Sequence, residues 1–215
     1  MEIKWYGHSC FLLTNNEGVR LLMDPCDRGV GYDLHDIEAD IMTISHSHHD
    51  HNYYEAVRGN PIRIIAPGET IQKGVRIIGV PTWHDENEGR QRGNNIMFIV
   101  EMDDIRVLHC GDLGHVLPDE TVKAIGDIDV LLVPVGGKYT VDYKGARAVA
   151  NQLRPSVVIP MHYKTNACAI DLDTVDNFLT SAEKCLIHRL GQSSATLGRI
   201  NLGEDRVLVL DYERC

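Results

Sequence analysis

A histidine-rich run, His46-Ser47-His48-His49-Asp50-His51, places metal-binding side chains in six consecutive residues. Imidazole nitrogens and carboxylate oxygens are the ligands that hold zinc and its first-row neighbours. Alternate residues of a loop can converge on one side, so we expect His46 and His48 to serve one ion, and Asp50 and His51 a second. A solvated surface loop is the opposing interpretation. It is disfavoured because four such positions should coincide by chance only about 0.002 times in a chain of this composition.

The run follows a short buried strand, and the surrounding sequence predicts an alternation of strands and helices. A turn at Asn15-Asn16-Glu17-Gly18 between two apolar segments predicts a hairpin. Pro118-Asp119-Glu120 is a good first helical turn and predicts a helix over 118–125. Apolar residues at helical spacing predict helices over 142–153 and about 175–182, the last one capped by Asp171 or Asp173. The predicted strands are 10–14, 19–23, 41–44, 62–66, 75–80, 96–101, 105–108, 130–133, 157–159 and 206–210.

These elements predict one α/β domain over residues 1–215, with two sheets packed face to face and helices outside. The hydrophobic content of 43% is sufficient for a core of that size. The element order alone leaves the topology open.

Composition limits the partners and the location. The chain has 21 Lys+Arg against 31 Asp+Glu, a net charge of −10 with no basic face, so no nucleic-acid partner is expected. No secretory signal and no apolar run of about 20 residues is visible, so a cytoplasmic protein without membrane contact is expected. The cysteines form no Cys-x-x-Cys motif and are expected to be free thiols: Cys10, Cys26, Cys110, Cys168, Cys185 and Cys215.

The pattern His-x-His-x-Asp-His resembles the signature of the metallo-β-lactamase superfamily. Further landmarks of that family follow in order between Trp5 and about Thr165. Local segments such as Gly7-His8-Ser9-Cys10 and Met161-His162-Tyr163 are similar to the branch that includes the ascorbate-6-phosphate lactonases and other Zn-dependent hydrolases. The resemblance implies a four-layer αββα sandwich with the site at one edge, where loops at the strand ends meet.

The resemblance also implies a ligand set for two divalent transition-metal ions, with zinc first and manganese or iron as alternatives. Asp24 corresponds to an early structural aspartate behind the ligands. The first ion would be held by His46, His48 and His84, the second by Asp50, His51 and His162, and Asp112 would bridge them. A hydroxide shared by the two ions would attack the substrate. Asp50 and Asp112 would be the catalytic carboxylates, with Asp50 also passing a proton to the leaving group.

Other polar residues have two interpretations each. His8 is either a support behind the ligands, bonded to one of them or to Asp24, or a core histidine, and His115 either borders the pocket or does not. Arg90, Arg92 and Lys138 lie in glycine-containing loops and could contact an anionic substrate, or be solvated. Tyr163 follows His162 and could contact the substrate by stabilising an oxyanion.

We therefore expect a hydrolase that acts on a small, anionic ester, lactone or phosphodiester. Residue 48 is His where the oxygen-reducing diiron branch of the resembled family carries Glu, which favours hydrolysis over redox chemistry. The alternatives are a nuclease or phosphodiesterase acting on nucleic acid, and a catalytically silent metal-binding scaffold. The sequence leaves the oligomeric state open.

Overall fold

Two mixed β-sheets face each other in the computed structural model, which describes residues 1–34, 36–182, 186–199, 202 and 206–214. The helices in this part of the chain are α1 (Asp119–Ile125), α2 (Tyr143–Leu153) and α3 (Asp176–Ser181), with 3-10 turns at Arg28–Val30 and Tyr54–Ala56. The strands are β1 (Glu2–Gly7), β2 (Cys10–Thr14), β3 (Arg20–Met23), β4 (Ile37–Glu38), β5 (Ile41–Thr43), β6 (Val57–Arg58), β7 (Ile62–Ile64), β8 (Gly68–Gln72), β9 (Val75–Trp83), β10 (Asn94–Met102), β11 (Ile105–His109), β12 (Val130–Pro134), β13 (Val157–Met161), β14 (Leu186–Arg189), β15 (Ser194–Thr196) and β16 (Arg206–Val209).

The early strands form most of the first sheet and the later strands form the second, except that the late strand β15 returns to the edge of the first sheet. The first sheet has the order β15-β1-β2-β3-β5-β7, and the second has the order β14-β16-β13-β12-β11-β10-β9-β8. β3 and β5 run parallel in the first sheet, and β11, β12 and β13 run parallel in the second. Parallel neighbours bring the loops that follow them to the same edge of a sheet, which is where polar side chains can gather.

Side-chain alternation along the strands divides the core. Phe11 and Leu13 of β2 enter the main core between the two sheets, whereas Cys10 and Leu12 belong to a second cluster on the other side of the first sheet. The chain after β3 covers that second cluster with irregular structure and the 3-10 turn at Arg28–Val30. On the second sheet, α2 packs against β12 and α3. The predicted α/β sandwich is confirmed, with a largely irregular outer layer over the first sheet.

Most of the predicted elements are present, with shifted ends. The hairpin is confirmed as β2 and β3, paired from Phe11–Met23 to Thr14–Arg20. α2 begins after Asp142, whose carboxylate accepts hydrogen bonds from the backbone amides of Lys144 and Gly145, as expected for a cap. The predicted cap of α3 is wrong, because α3 begins after Val175 without a side-chain cap bond.

The expectation of free thiols is confirmed for four of the six cysteines. Cys10, Cys26, Cys110 and Cys168 are free and buried, whereas Cys185 and Cys215 lie outside the described residues. Within the described ranges, no helix combines the length and the apolar character needed to cross a membrane.

Candidate metal centre

The candidate ligands, together with His8 and Asp24, converge at the carboxyl ends of strands from both sheets. His46 to His51 follow β5, and the remaining residues each follow another strand: His8 after β1, Asp24 after β3, His84 after β9, Asp112 after β11 and His162 after β13. Three of them, His8, Asp24 and His162, adopt positive φ angles of 52°, 44° and 51°. Non-glycine residues in that conformation are uncommon and cluster at functional sites, where tertiary contacts hold them.

The ligand atoms fall into overlapping groups whose members lie within 4.8 Å of one another. One group is His46, His48 and His84. Another is Asp50, His51 and His162, joined by His8. The structure thus brings together the two sets that the sequence analysis assigned to separate ions, and it adds His8 to the second.

Asp112 lies between the two sets, with one carboxylate oxygen toward each. Its Oδ2 is 3.1 Å from His84 Nε2 and 3.8 Å from His46 Nε2. Its Oδ1 is 3.1 Å from His51 Nε2 and 3.4 Å from His162 Nε2. A carboxylate in this position can bridge two cations.

Buried polar atoms at the centre test whether a metal fits. Neither Asp112 Oδ1 nor His51 Nε2 forms a hydrogen bond with the described residues, although both are buried and 3.1 Å apart. A buried polar atom without a partner costs about 1–3 kcal/mol, which a cation between the two atoms would offset. The donor set is imidazole and carboxylate, as zinc, manganese and iron require. The residues therefore fit a metal centre.

Asp24 orients one imidazole of each set. His51 Nδ1–H donates to Asp24 Oδ2 over 2.8 Å, and its Nε2 faces Asp112 Oδ1. Ser45 Oγ–H also donates to Asp24 Oδ2, and His46 Nδ1 lies 2.9 Å from that Oγ. In the tautomer that this network favours, His46 donates from Nδ1 to Ser45 Oγ, and its Nε2 keeps a lone pair that lies 3.0 Å from His48 Nδ1 and can bind a metal. The expected role of Asp24 behind the ligands agrees with this geometry.

The pKa of Asp24 is consistent with a permanent carboxylate. Burial opposes its ionisation, but hydrogen bonds from His51 and Ser45 hold the pKa below its usual value. Burial lowers the pKa of His46 to about 3, so this imidazole is neutral at pH 7 and has no proton to lose before it binds a metal.

A tight turn fixes Asp112. Gly111 has φ 55°, and a Cβ at this position would overlap Asn95 and Ser45. The buried Asn95 accepts from Asp112 N at 2.9 Å and donates to Cys110 O at 2.9 Å. The sequence analysis did not identify Asn95 or Ser45, because neither belongs to a ligand motif.

His8 contacts Asp50 rather than Asp24. Its Nε2–H donates to Asp50 Oδ2 over 3.1 Å, and its ring packs against the His162 ring in a tilted arrangement with centroids 4.1 Å apart. Burial, and next the neighbouring His162, lower the pKa of His8 to about 4. Burial also opposes ionisation of Asp50, but the His8 hydrogen bond and His51 hold its pKa well below the usual range. These contacts place His8 behind Asp50, which is one of the two interpretations of this residue. The low pKa keeps Asp50 ionised.

A cavity of about 580 Å³ opens over the centre. Besides residues of both ligand sets, it is lined by Arg92, Tyr139 and Ile170. The loop that carries Arg92 folds around Asp85, whose carboxylate accepts backbone hydrogen bonds from four residues, including Arg92. Arg92 Nη2 then donates to Lys138 O at 3.3 Å, next to Tyr139. Among the predicted substrate contacts, Arg92 is the one that lines this cavity.

Two other predicted substrate contacts do not reach the cavity. The Arg90 side chain is 79% exposed and pairs with Glu88 at the surface. Lys138 Nζ pairs with Asp171 Oδ2 at 2.5 Å and lines an adjacent polar pocket. The structure places both side chains away from this cavity because loop folding, rather than distance along the chain from His84, decides where each cation lies.

The packing places two further residues away from the cavity. Tyr163 is buried in the main core against Trp5, with ring centroids 5.2 Å apart, and does not line the cavity over the metal centre. His115 accepts a hydrogen bond from Trp83 N at 3.2 Å, and it does not line the cavity. It supports the backbone immediately before His84. His109 is fully buried, and its Nδ1 accepts a hydrogen bond from Gly111 N.

Comparison with known families gives an independent view of this centre. The family described as "Beta-lactamase superfamily domain" matches residues 2–162, which include every ligand candidate. The match thus covers about three quarters of the chain.

Individual metal-dependent hydrolases are also similar to this chain over most of its length. A UPF0173 metal-dependent hydrolase of Thermococcus kodakarensis is 30% identical over 194 residues, 77% of this chain and 85% of that protein. One from Archaeoglobus fulgidus is 31% identical over 77% of this chain and 84% of its own length. A crystal structure from Thermotoga maritima, assigned to the Zn-dependent hydrolases of the metallo-β-lactamase superfamily, is 41% identical, covers 97% of both chains and has a TM-score of 0.81.

Proposed function

This chain belongs to the metallo-β-lactamase superfamily of metal-dependent hydrolases, and we propose that it is a dinuclear enzyme that hydrolyses a small anionic ester, lactone or phosphodiester. The observation that carries the proposal is the position of Asp112, whose two carboxylate oxygens face two separate groups of imidazoles. A single tetrahedral site needs four ligands, and seven are available here besides His8.

The proposed ligands divide as the geometry suggests. His46, His48 and His84 would hold one ion, and Asp50, His51 and His162 the other, with Asp112 shared. When bound, two divalent cations lower the pKa of a water in the site and polarise the carbonyl or phosphoryl oxygen of the substrate. Zinc is the first candidate, with manganese and iron as alternatives.

Asp50 would transfer the proton, and His8 would orient the Asp50 carboxylate. The Asp50 carboxylate lines the cavity and stays ionised, so it can accept a proton from the attacking water and return it to the leaving group. His8 holds one Asp50 oxygen by its hydrogen bond and so fixes the direction of that transfer.

Arg92 and the shape of the cavity support a small anionic substrate. The Arg92 guanidinium is permanently charged and lines the cavity beside the candidate ligands. It can bind a carboxylate or phosphate with two parallel hydrogen bonds. The volume of about 580 Å³ is typical of small-molecule sites. The net charge of −10 would slow the approach of a long phosphate backbone.

Metal analysis tests the dinuclear part of the proposal. We expect two transition-metal ions per chain in protein purified without chelator. His48→Ala and His162→Ala, one from each set, should each retain about one ion. Loss of all metal in both variants would instead indicate a single site.

A substrate panel tests the reaction. Metal-loaded protein should hydrolyse anionic lactones, esters or phosphodiesters, and Asp50→Asn should lose turnover far more than it loses stability. Efficient, salt-sensitive cleavage of RNA or DNA would favour a nuclease. Absence of turnover on every panel would favour a metal-binding scaffold.

A further inference from the structure

An apolar groove opens beside the candidate metal centre, next to His46 and His48. Its volume is about 740 Å³. Most of its wall is made of aliphatic, proline and aromatic side chains: Ile44, Ile65, Pro67, Pro81, Trp83 and Ile96. The residues come from different strands and loops, so the groove is a product of the fold.

Strand pairing makes the groove a fixed feature. Ile44 N donates to Ile64 O at 3.1 Å, and Ile96 N donates to Ser45 O at 3.0 Å, so the floor lies where the first sheet meets the second. Trp83 is held on one wall by its pairing with Asn94 across β9 and β10. Because these residues are tied to β-structure, the groove exists before any ligand binds.

The groove exposes large apolar side chains to solvent. Trp83 is 40% exposed and Ile65 is 63% exposed. A contiguous exposed apolar surface on a folded protein commonly marks a binding site. Both side chains can lose water contact when an apolar group enters.

We propose that this groove binds the apolar part, an alkyl chain or an aromatic ring, of an anionic substrate whose reacting bond lies in the cavity over the metal centre. This inference rests on the proposed function and adds a substrate class to it. Ile65 and Trp83 would be specificity-determining residues, and the substrate would be an amphipathic acid derivative.

Continuity with the cavity identifies this occupant. Ser47, His48 and Arg92 line both the groove and the cavity over the metal centre. Arg92 therefore presents its cation where the two spaces meet, and a molecule that spans both would place a negative group beside it. Arg63, which also lines the groove, lies over the Tyr54 ring at 4.8 Å. The volume is in the range of small-ligand pockets, which favours part of a substrate over the face of another protein.

Alkanoates of increasing length are suitable probes. Metal-loaded protein would be titrated with butanoate, hexanoate, octanoate and decanoate, and tryptophan fluorescence followed. Trp83 is the responsive reporter, because Trp5 is 1% exposed in the core. Affinity should rise about two- to fourfold for each added methylene, as expected when a chain leaves water for an apolar groove.

Two isoleucines with equal exposure provide the matched comparison. Ile65 lines the groove and Ile71 does not, yet each is 63% exposed. Ile65→Glu should weaken decanoate binding about tenfold or more and flatten the dependence on chain length. Ile71→Glu should leave both unchanged. Trp83→Ala, measured by calorimetry, should reproduce the effect of Ile65→Glu.

Several outcomes would overturn the inference. Affinity independent of chain length would do so, as would equal effects of Ile65→Glu and Ile71→Glu. Sedimentation showing a dimer that Ile65→Glu dissociates, without alkanoate binding, would assign the groove to a second copy of the chain. Because binding is measured without turnover, failure of the hydrolase proposal would leave the alkanoate series interpretable.

Discussion

His8 donates a hydrogen bond from Nε2 to Asp50 Oδ2 over 3.1 Å and so connects the end of β1 to the ligand loop after β5. The carbonyl of His8 accepts from His162 N and from Trp5 Nε1, both at 3.0 Å. One residue at positive φ thereby holds two members of the second ligand set and is itself anchored to the core. Its contacts indicate a positioning role.

Replacing His8 with Phe should keep a ring beside His162 and remove the donor to Asp50. In the proposed mechanism, activity needs the Asp50 carboxylate and would be lost as the pH falls through its pKa. The His8 hydrogen bond depresses that pKa, so the acidic limb of the pH profile should move to higher pH in His8→Phe. Turnover should fall about 10- to 100-fold. The measurement is kcat/KM against pH at saturating metal. His8→Asn, which retains an amide donor, should recover part of the loss, whereas an unmoved acidic limb would exclude this role.

Asp24→Asn should weaken metal binding without unfolding the protein. The amide can donate to His51 Nδ1, which would force the proton onto Nε2 and block that ligand atom. We expect a loss of about 10- to 100-fold in metal affinity, measured by competition with a chelator. Asp27→Asn is the matched control, because Asp27 accepts from the exposed His49, which belongs to neither ligand set. Equal affinities in Asp24→Asn and wild type would contradict the tautomer assignment.

Arg92→Ala should raise KM for an anionic ester or lactone by about tenfold, equivalent to about 1.4 kcal/mol, with a smaller change for the neutral analogue. The reason is that Arg92 lines the cavity over the metal centre. Arg90 lies two residues before Arg92 and pairs with Glu88 at the surface. Arg90→Ala therefore removes the same charge but should change neither KM. Steady-state kinetics on the paired substrates checks this. Equal wild-type efficiency on both analogues would refute an anionic substrate.

Asp85→Asn should destabilise the protein most at neutral pH. Burial opposes ionisation of Asp85, but hydrogen bonds from backbone N–H groups, first those of Arg92 and Gln91, lower its pKa in the folded state. A depressed folded pKa stabilises the protein above the unfolded value of about 3.9, and this contribution is lost as the pH falls through the folded pKa. The difference in unfolding free energy between wild type and Asp85→Asn should therefore shrink in acid. Urea denaturation at several pH values tests this, with Glu86→Gln as the exposed neighbouring control. A difference independent of pH would mean that the charge of Asp85 is not involved.

The sequence by itself determined the ligand loop and most of the framework around it. His46 to His51 are contiguous, so their chemistry is visible without any fold, and the regular apolar spacing predicted β2, β3, α2 and the buried strands. Asp24, His84, Asp112 and His162 could be assigned from the sequence only through a family resemblance, because nothing local marks them as neighbours.

The tertiary structure decided which polar groups support the centre and which approach a substrate. Asp24 reaches both ligand sets through His51 and Ser45, a relationship that spans strands of the first sheet and has no sequence pattern. Arg92 and Arg90 have the same chemistry and nearly the same position in the chain, but the hydrogen bonds to Asp85 turn only Arg92 into the cavity. Tyr163 follows a ligand yet packs into the core. Side-chain direction at a strand end depends on local backbone angles and on the packing of the opposite sheet, and a linear pattern contains neither.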